Sequence, residues 1–536
     1  MICLLLPVIY FLAYGFYGLS DTDQGYIQGL AWRVYQGEVP YKDFVYVRPP
    51  LSLYLHLLGI TFPMPVLLSR LFFYLSCGLT VWLCTRSIQA YFDFQPIGIS
   101  PMIFAAISYV FVVHNFPPMP WHTTDGLLFA SLGIYLISTS KKMWISYLGL
   151  MAILMAAFCK QSFYPLILIG PVLVMFLKKR PFAIRVNLFY LLTIAIILMG
   201  LKIFAGEWLQ LFIGQTTGVT EIRDFIYVGI IKYGKPLLLL ILPVLIVWRL
   251  QQDFILPNSW KYLPAAVYWL FFGGLLGLHV FKALTDKVYV PPSFGLSQSM
   301  FLLAIGVAIR GTWINTRAYT LLLALLVVAW CSSLSWGYAT PMLFFTPVIF
   351  AFLFMLYDEL EFRVPRFFYG MILILLVWVY ALLYQYPYRA SAREETVFHA
   401  GEIFPKLKGI KVGAYMYLKC EELAQLHATY GSNYTVLPSF PLAHFLTDTS
   451  NPIKVDWAHN IELGGKHKVP DIIDEMHADA EYVFIERDKI EEAYDTTKYG
   501  SLLSRHVVHN WEQVEVGKYF IVYKAPKKPV ATMKEE

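Results

Sequence analysis

Residues 65–85 read PVLLSRLFFYLSCGLTVWLCT, with Arg70 as the one charged side chain in the run. A helix of this length, at about 1.5 Å per residue, crosses the ~30 Å hydrocarbon core of a bilayer. Working outward from it, further apolar runs fall near residues 2–19, 98–114, 124–139, 144–158, 161–177 and 187–205. Others fall near 236–249, 262–281, 297–310, 317–335, 340–357 and 367–384. Lipid offers no partners to backbone N–H and C=O groups, so such runs must be helices. The expected fold is a polytopic all-α membrane protein of about 13 transmembrane helices, followed by a soluble C-terminal α/β domain. The boundary is set between a multi-span part, residues 1–385, and a tail, residues 386–536.

Composition points the same way. The chain is 58% hydrophobic and only 15% charged, where soluble domains carry about 25% charged residues. Its net charge of +6 divides into +10 over residues 1–385 and −4 over residues 386–536. Alternating spans put Arg86, the Lys141-Lys142 pair, Lys178 to Arg180, Arg249, Arg310 to Arg317 and Arg363 to Arg366 on one side. The positive-inside rule makes that side the cytoplasm. Loops 20–50, 114–123, 206–235 and 282–296 then face outward with the tail. A basic membrane part suits anionic lipids or phosphates and gives no reason to expect nucleic acid. The six cysteines form no C-x-x-C, which removes metal ribbons and redox motifs. Neither a P-loop nor a nucleophile elbow occurs, so ATP-driven and serine-hydrolase chemistry lack residues.

In the tail, alternating residues predict strands at 411–415, 480–485 and 518–523, with short helices at 420–429 and 470–478. The first outward loop is the more informative region. It runs from Ser20-Asp21-Thr22-Asp23-Gln24-Gly25 to Val47-Arg48-Pro49-Pro50, too long for a plain connector. Tyr26, Ile27, Leu30, Ala31 and Val34 recur at helical spacing. The expectation is an amphipathic helix in the membrane interface, with Trp32 and Tyr35 at the headgroups and Gly37 ending it. Asp21 and Asp23 then sit where the first span leaves the lipid.

Asp23, the run Gly37-Glu38-Val39-Pro40-Tyr41-Lys42-Asp43 and then Arg48-Pro49-Pro50-Leu51 together resemble a known signature. It is that of GT-C-type glycosyltransferases, the superfamily of polyprenyl-phosphate-mannose–protein mannosyltransferases and lipid A aminoarabinose transferases. Thr124-Asp125 and Lys160-Gln161 extend the likeness. The resemblance implies hexosyl or pentosyl transfer from a polyprenyl-phosphate donor to a protein, lipid or glycan acceptor on the outer face. No eukaryotic targeting signal stands out in the sequence, so a bacterial inner membrane is expected.

It also implies roles. Asp23 would be the catalytic base, although an acid there also suits a helix N-terminus. Asp125 would be a second catalytic acid or an acceptor-positioning group, and could equally cap its span. Arg48 would hold the carrier phosphate, with Arg70 and Lys160 as further cations; an arginine at bilayer depth costs about 2.5–3.5 kcal/mol unless paired. Asp21 is a possible acceptor contact or second acid. Asp21-Thr22-Asp23 would hold a divalent metal if one were used, but the chemistry requires no cofactor. His122 lacks partners at metal-ligand spacing. Asp456-Trp457 and Glu462 in the tail are further groups that could face the site. The rival class is a transporter or flippase of lipid-linked sugars or small molecules, which would call for inverted repeats and broken helices at the bilayer midplane. Neither is evident in the sequence.

Overall fold

The computed structural model describes residues 2–92, 100–113, 117–216, 285, 308–309, 312–313, 315–333, 387, 389–463, 468–497 and 499–526. The helices are α1 (Ile2–Tyr14), α2 (Asp23–Tyr35), α3 (Leu51–Ile60), α4 (Pro65–Gln89), α5 (Pro101–Val113) and α6 (His122–Thr139). They continue with α7 (Met143–Cys159), α8 (Pro165–Leu177), α9 (Arg180–Phe204), α10 (Gly206–Thr216) and α11 (Thr316–Ser333). Among the described residues, α4 and α9 are long and apolar enough to cross a membrane, and the remaining apolar helices are shorter. The expected count of about 13 is therefore not reached there. The runs near 236–249, 262–281, 340–357 and 367–384 lie outside the described residues, as does 297–310 apart from Ala308 and Ile309.

Helix α9 carries the clearest lipid signature. Leu188, Leu192, Ile196, Met199 and Ile203 form a stripe at helical spacing, each more than half exposed. Such a stripe in water would be a severe aggregation liability, and in lipid it has no cost. Inside the bundle, α6 and α7 approach at two glycines. A Cβ on Gly133 would lie 2.5 Å from the Gly149 carbonyl oxygen, so only glycine permits this separation.

The bundle has two chemically distinct ends. At one, the Tyr91 hydroxyl donates to the Ser138 carbonyl (3.2 Å) and the Lys178 ammonium to that of Ser140. These are among the basic turns assigned to the cytoplasm. At the other end lie the first loop, the start of α6, the α7–α8 junction, α10 and the tail, joined by contacts described below. Among the described residues, loop 20–50, the segment before α6, α10 and the tail share that end; loop 282–296 lies outside the described residues apart from Thr285.

The tail begins with β1 (Phe398–His399), antiparallel to β2 (Lys411–Val412). A four-stranded sheet follows in the order β3 (Tyr434–Leu437), β4 (Tyr482–Glu486), β6 (Phe520–Lys524), β5 (Glu512–Val516). Only β3 and β4 run parallel. Helices α12 (Ala414–Tyr430), α13 (Val469–Asp479) and α14 (Leu502–Asn510) complete it. Two expected strands are thus present as β4 and β6, but the one at 411–415 shrinks to β2. From Ala414 the chain is helical, because Cys420, Leu423 and Leu426 bury one helical face, a period the short Lys411–Tyr415 window cannot reveal.

A second correction concerns α2. It forms where expected and stops before Gly37, but it does not lie against lipid headgroups. Every residue from Asp23 to Arg33 is buried, because the tail covers the helix. A Cβ on Gly29 would meet the Pro441 carbonyl oxygen at 2.2 Å, so the two backbones touch. Trp32 donates from Nε1 to the Thr449 carbonyl (2.9 Å), with the Lys406 ammonium 3.8 Å above its ring. Leu19, Ala31, Trp32, Val66 and Leu67 share one core with Phe440, Leu442 and Phe445.

Candidate functional site

Helix α2 presents three faces. Gln24 and Gln28 turn to α4: Gln24 accepts from Arg70 (2.8 Å) and Gln28 donates to the Ser69 hydroxyl (3.2 Å). Gly25, Gly29, Trp32 and Arg33 meet the tail. Arg33 pairs with Asp456 of the tail at 2.8 Å and with Glu38 of its own loop at 3.1 Å. The third face carries Asp23 and, one turn on, Tyr26. Side chains three apart on a helix are neighbours, which puts Asp23 one turn from Tyr26 on α2.

Arg48 does approach Tyr26. Its Nη1 donates to the Tyr26 hydroxyl (2.7 Å), and its guanidinium lies 4.8 Å from that ring. Its two terminal nitrogens grip both oxygens of Glu462 from the tail, at 2.8 and 2.7 Å. The loop backbone is held around it. Tyr41, at φ 72°, donates its hydroxyl to the Arg48 carbonyl (2.6 Å), a strained conformation for a non-glycine residue that surrounding contacts must hold. Gln215 of α10 accepts from the Tyr46 amide (2.9 Å) and donates to the Tyr41 carbonyl (2.7 Å). Gln161 donates to the Val47 carbonyl at 2.5 Å.

Below this loop lies the start of α6. Asp125 is 3.2 Å from His56 of α3, both buried. Lys160, also buried, donates to the Thr123 hydroxyl at 2.9 Å. The His122 ring faces Tyr46 (centroids 6.3 Å apart) and Tyr26 (5.9 Å), while Trp457 meets Tyr26 edge-on at 5.1 Å. Tyr26 of α2, Tyr41 of the loop and Glu462 of the tail thus meet at Arg48, and Gln215 of α10 and Gln161 hold the loop backbone beside it.

Asp23 is buried, at 6% exposure, and pairs with Arg389 at 3.0 Å. That arginine is half exposed and also donates to the Thr22 hydroxyl (2.9 Å). The N-cap position of α2 belongs to Thr22, without a side-chain cap bond, so Asp23 is the first helical residue and does not cap it.

Two of the expected site residues are engaged elsewhere. Arg70 spends its guanidinium on the carbonyls of Gly15 (2.8 Å), Tyr17 (3.2 Å) and Gly18 (2.5 Å), and on Gln24. It ties the outer end of α1 to α2, which answers the cost of an arginine at that depth. Asp21 joins a buried ionic network with the tail: Lys419 lies 2.7 Å from Asp21 and 2.6 Å from Glu486, and Lys489 lies 2.7 Å from Glu486. Burial alone would raise the Asp21 carboxyl, but the charges of Lys419 and Lys489 outweigh it and hold it at about 2.

Sequence reasoning missed His56, Arg389 and Lys419. His56 carried a usable signal, an ionisable residue inside an apolar run. Arg389 and Lys419 carried none, because nothing local marks a partner hundreds of residues away. No group of three or more metal-ligating side chains occurs among the described residues.

The chain matches no protein-family model and no curated protein. Two solved structures are similar to it along most of its length. One is the oligosaccharyltransferase of Archaeoglobus fulgidus in a complex with Zn and sulfate, at 12% identity and a TM-score of 0.45, over 92% of this chain and 68% of that one. The other is ArnT from Cupriavidus metallidurans in the apo state, at 10% identity and a TM-score of 0.42, over 97% of this chain and 96% of that one.

Proposed function

We propose that this chain is a membrane glycosyltransferase that moves a sugar from a polyprenyl-phosphate donor to an acceptor hydroxyl on the extracytoplasmic side. The observation that carries the reading is the gathering of Tyr26, Arg48, Lys160 and the His56–Asp125 pair at one end of an apolar helical bundle, with Asp23 one helical turn before Tyr26 on α2. A lipid phosphate arrives at that depth with its tail in the bilayer. Arg48 already binds two oxygens of one anion, the bidentate geometry that also suits a phosphate.

In this scheme Asp23 takes the proton of the acceptor hydroxyl as its oxygen attacks the anomeric carbon. The bond from that carbon to the phosphate oxygen breaks, and the carrier phosphate leaves with the electron pair. Arg48 and Lys160 offset the charge it develops. Inversion at the anomeric carbon follows from a single displacement. Asp125, held by His56, positions the acceptor. Asp21 and Arg70 serve architecture, joining the tail and α1 to α2. We assign residues 1–385 to the catalytic unit and residues 386–536 to an outward cover that contributes Glu462 and Trp457. A bacterial inner membrane fits the basic turns on the opposite end.

Mass spectrometry of lipids retained by the purified protein tests this reading. Wild type is expected to hold a polyprenyl phosphate, and Arg48→Ala to lose it. Absence of any isoprenoid phosphate, or equal retention by the variant, counts against it.

A further inference from the structure

Buried polar groups almost always have hydrogen-bond partners, and each exception calls for an explanation. Around Arg48 the exceptions cluster. His122 is fully buried, yet neither ring nitrogen has a partner. The Tyr46 hydroxyl, on a fully buried side chain facing that ring, has none either. The Nε1 of Trp457, on the far side of Tyr26, is the third. Other unpartnered groups are spread through the molecule, from the Tyr109 and Tyr190 hydroxyls in the apolar core of the bundle to Gln28 of α2 and Thr435, His444 and Trp511 of the tail, whereas these three surround the single Tyr26 ring.

We infer that His122, Tyr46 and Trp457 form the subsite for the hydroxyls of an uncharged sugar ring, an inference that rests on the donor reading of Arg48. The chemistry fits at each atom. A neutral imidazole offers one donor and one acceptor, a phenol either, and an indole one donor, a set that matches sugar hydroxyls. Aromatic rings of Tyr26, Tyr46, His122 and Trp457 supply apolar faces for the C–H side of the ring. The surrounding charges select against ionised sugars. Arg48 and Lys160 bear on His122, which disfavours an ammonium group there. Arg48, Glu462 and Asp125 all bear on Tyr46, so a carboxylate there also meets two like charges.

The test compares ligands with and without the sugar. Affinities are measured for polyprenyl monophosphate and for its esters with glucose, mannose, galactose, arabinose, an amino-deoxy pentose and a hexuronic acid. Wild type, Tyr46→Phe, His122→Phe and Arg48→Ala are compared in nanodiscs, with thermal melting of each empty protein as the folding control. The expected result is that a neutral ester binds more tightly than the monophosphate. Tyr46→Phe, which deletes one oxygen, then loses about two- to tenfold of that gain, leaves the monophosphate unchanged and melts no lower than wild type. If the monophosphate binds through Arg48 but no neutral ester gains over it, the subsite is wrong while the donor reading stands. Tighter binding of the amino or acidic ester, or a gain untouched by Tyr46→Phe, also overturns it. If the monophosphate fails to bind, or binds Arg48→Ala equally well, the donor reading falls and takes the subsite with it.

Discussion

Among the charged contacts between the first loop and the tail, two clusters are finished to different degrees. In the first, Lys419 is fully buried between Asp21 and Glu486, Lys489 adds a second cation, and the amide of Ser439 donates to the remaining Glu486 oxygen (2.8 Å). In the second, Arg48 meets Glu462 and Tyr26, but His122, Tyr46 and Trp457 beside it keep unpartnered polar atoms. A cluster that only holds two parts together gains by satisfying every group, since a half-paired buried charge is costly. The second cluster keeps open valences where the first has none. That difference separates the hinge of the structure from its workplace.

The largest effect expected from breaking this comparison is at Lys419. Lys419→Ala leaves Asp21 and Glu486 buried without their central cation, and should destabilise the protein by about 3–5 kcal/mol, read by denaturation in detergent. A loss below about 1 kcal/mol would place the network among surface pairs. At Arg48 the balance should reverse. Arg48→Ala is expected to raise the donor KM by about ten- to a hundredfold, the range of a lost charge-assisted hydrogen bond pair, with a smaller change in melting temperature. If only acceptor dependence moves, Arg48 does not hold the phosphate.

A smaller effect sharpens the same contrast through pH. Burial pushes the Glu38 carboxyl up to about 7, against the pull of Arg33 and with Asp456, Asp43 and Glu475 adding to the rise. A carboxyl raised on folding favours the folded state fully below its unfolded value, about 4.3. That contribution is lost as pH climbs through 7. Melting temperature should therefore fall between pH 4.5 and 7.5 by more in wild type than in Glu38→Gln. Parallel profiles would show that Glu38 stays charged throughout.

How far the sequence could be read follows from the same physics. Apolar length reveals α4 and α9 directly, and the acid–turn–Arg-Pro-Pro order places Asp23 and Arg48 in one loop. Periodicity also locates α2, but it reports that a face is apolar without saying what covers it. The tail, not lipid, takes that place, and only the contacts of Gly29 and Trp32 reveal it. The grip of Glu462 on Arg48 joins residues 414 positions apart, beyond any local pattern. Arg70 shows the opposite case. Its charge marks it out in the sequence, yet its employment on the carbonyls of residues 15–18 appears only in three dimensions.

The central claim is that the carboxylate opening α2 serves as the base for transfer to an acceptor hydroxyl. It is tested most directly by the rate of sugar transfer from a polyprenyl-phosphate donor in Asp23→Asn, measured beside its melting temperature. General-base catalysis predicts a fall of about a hundred- to ten-thousandfold in a protein that still folds and still binds donor. Transfer at near wild-type rate by that variant would contradict the account.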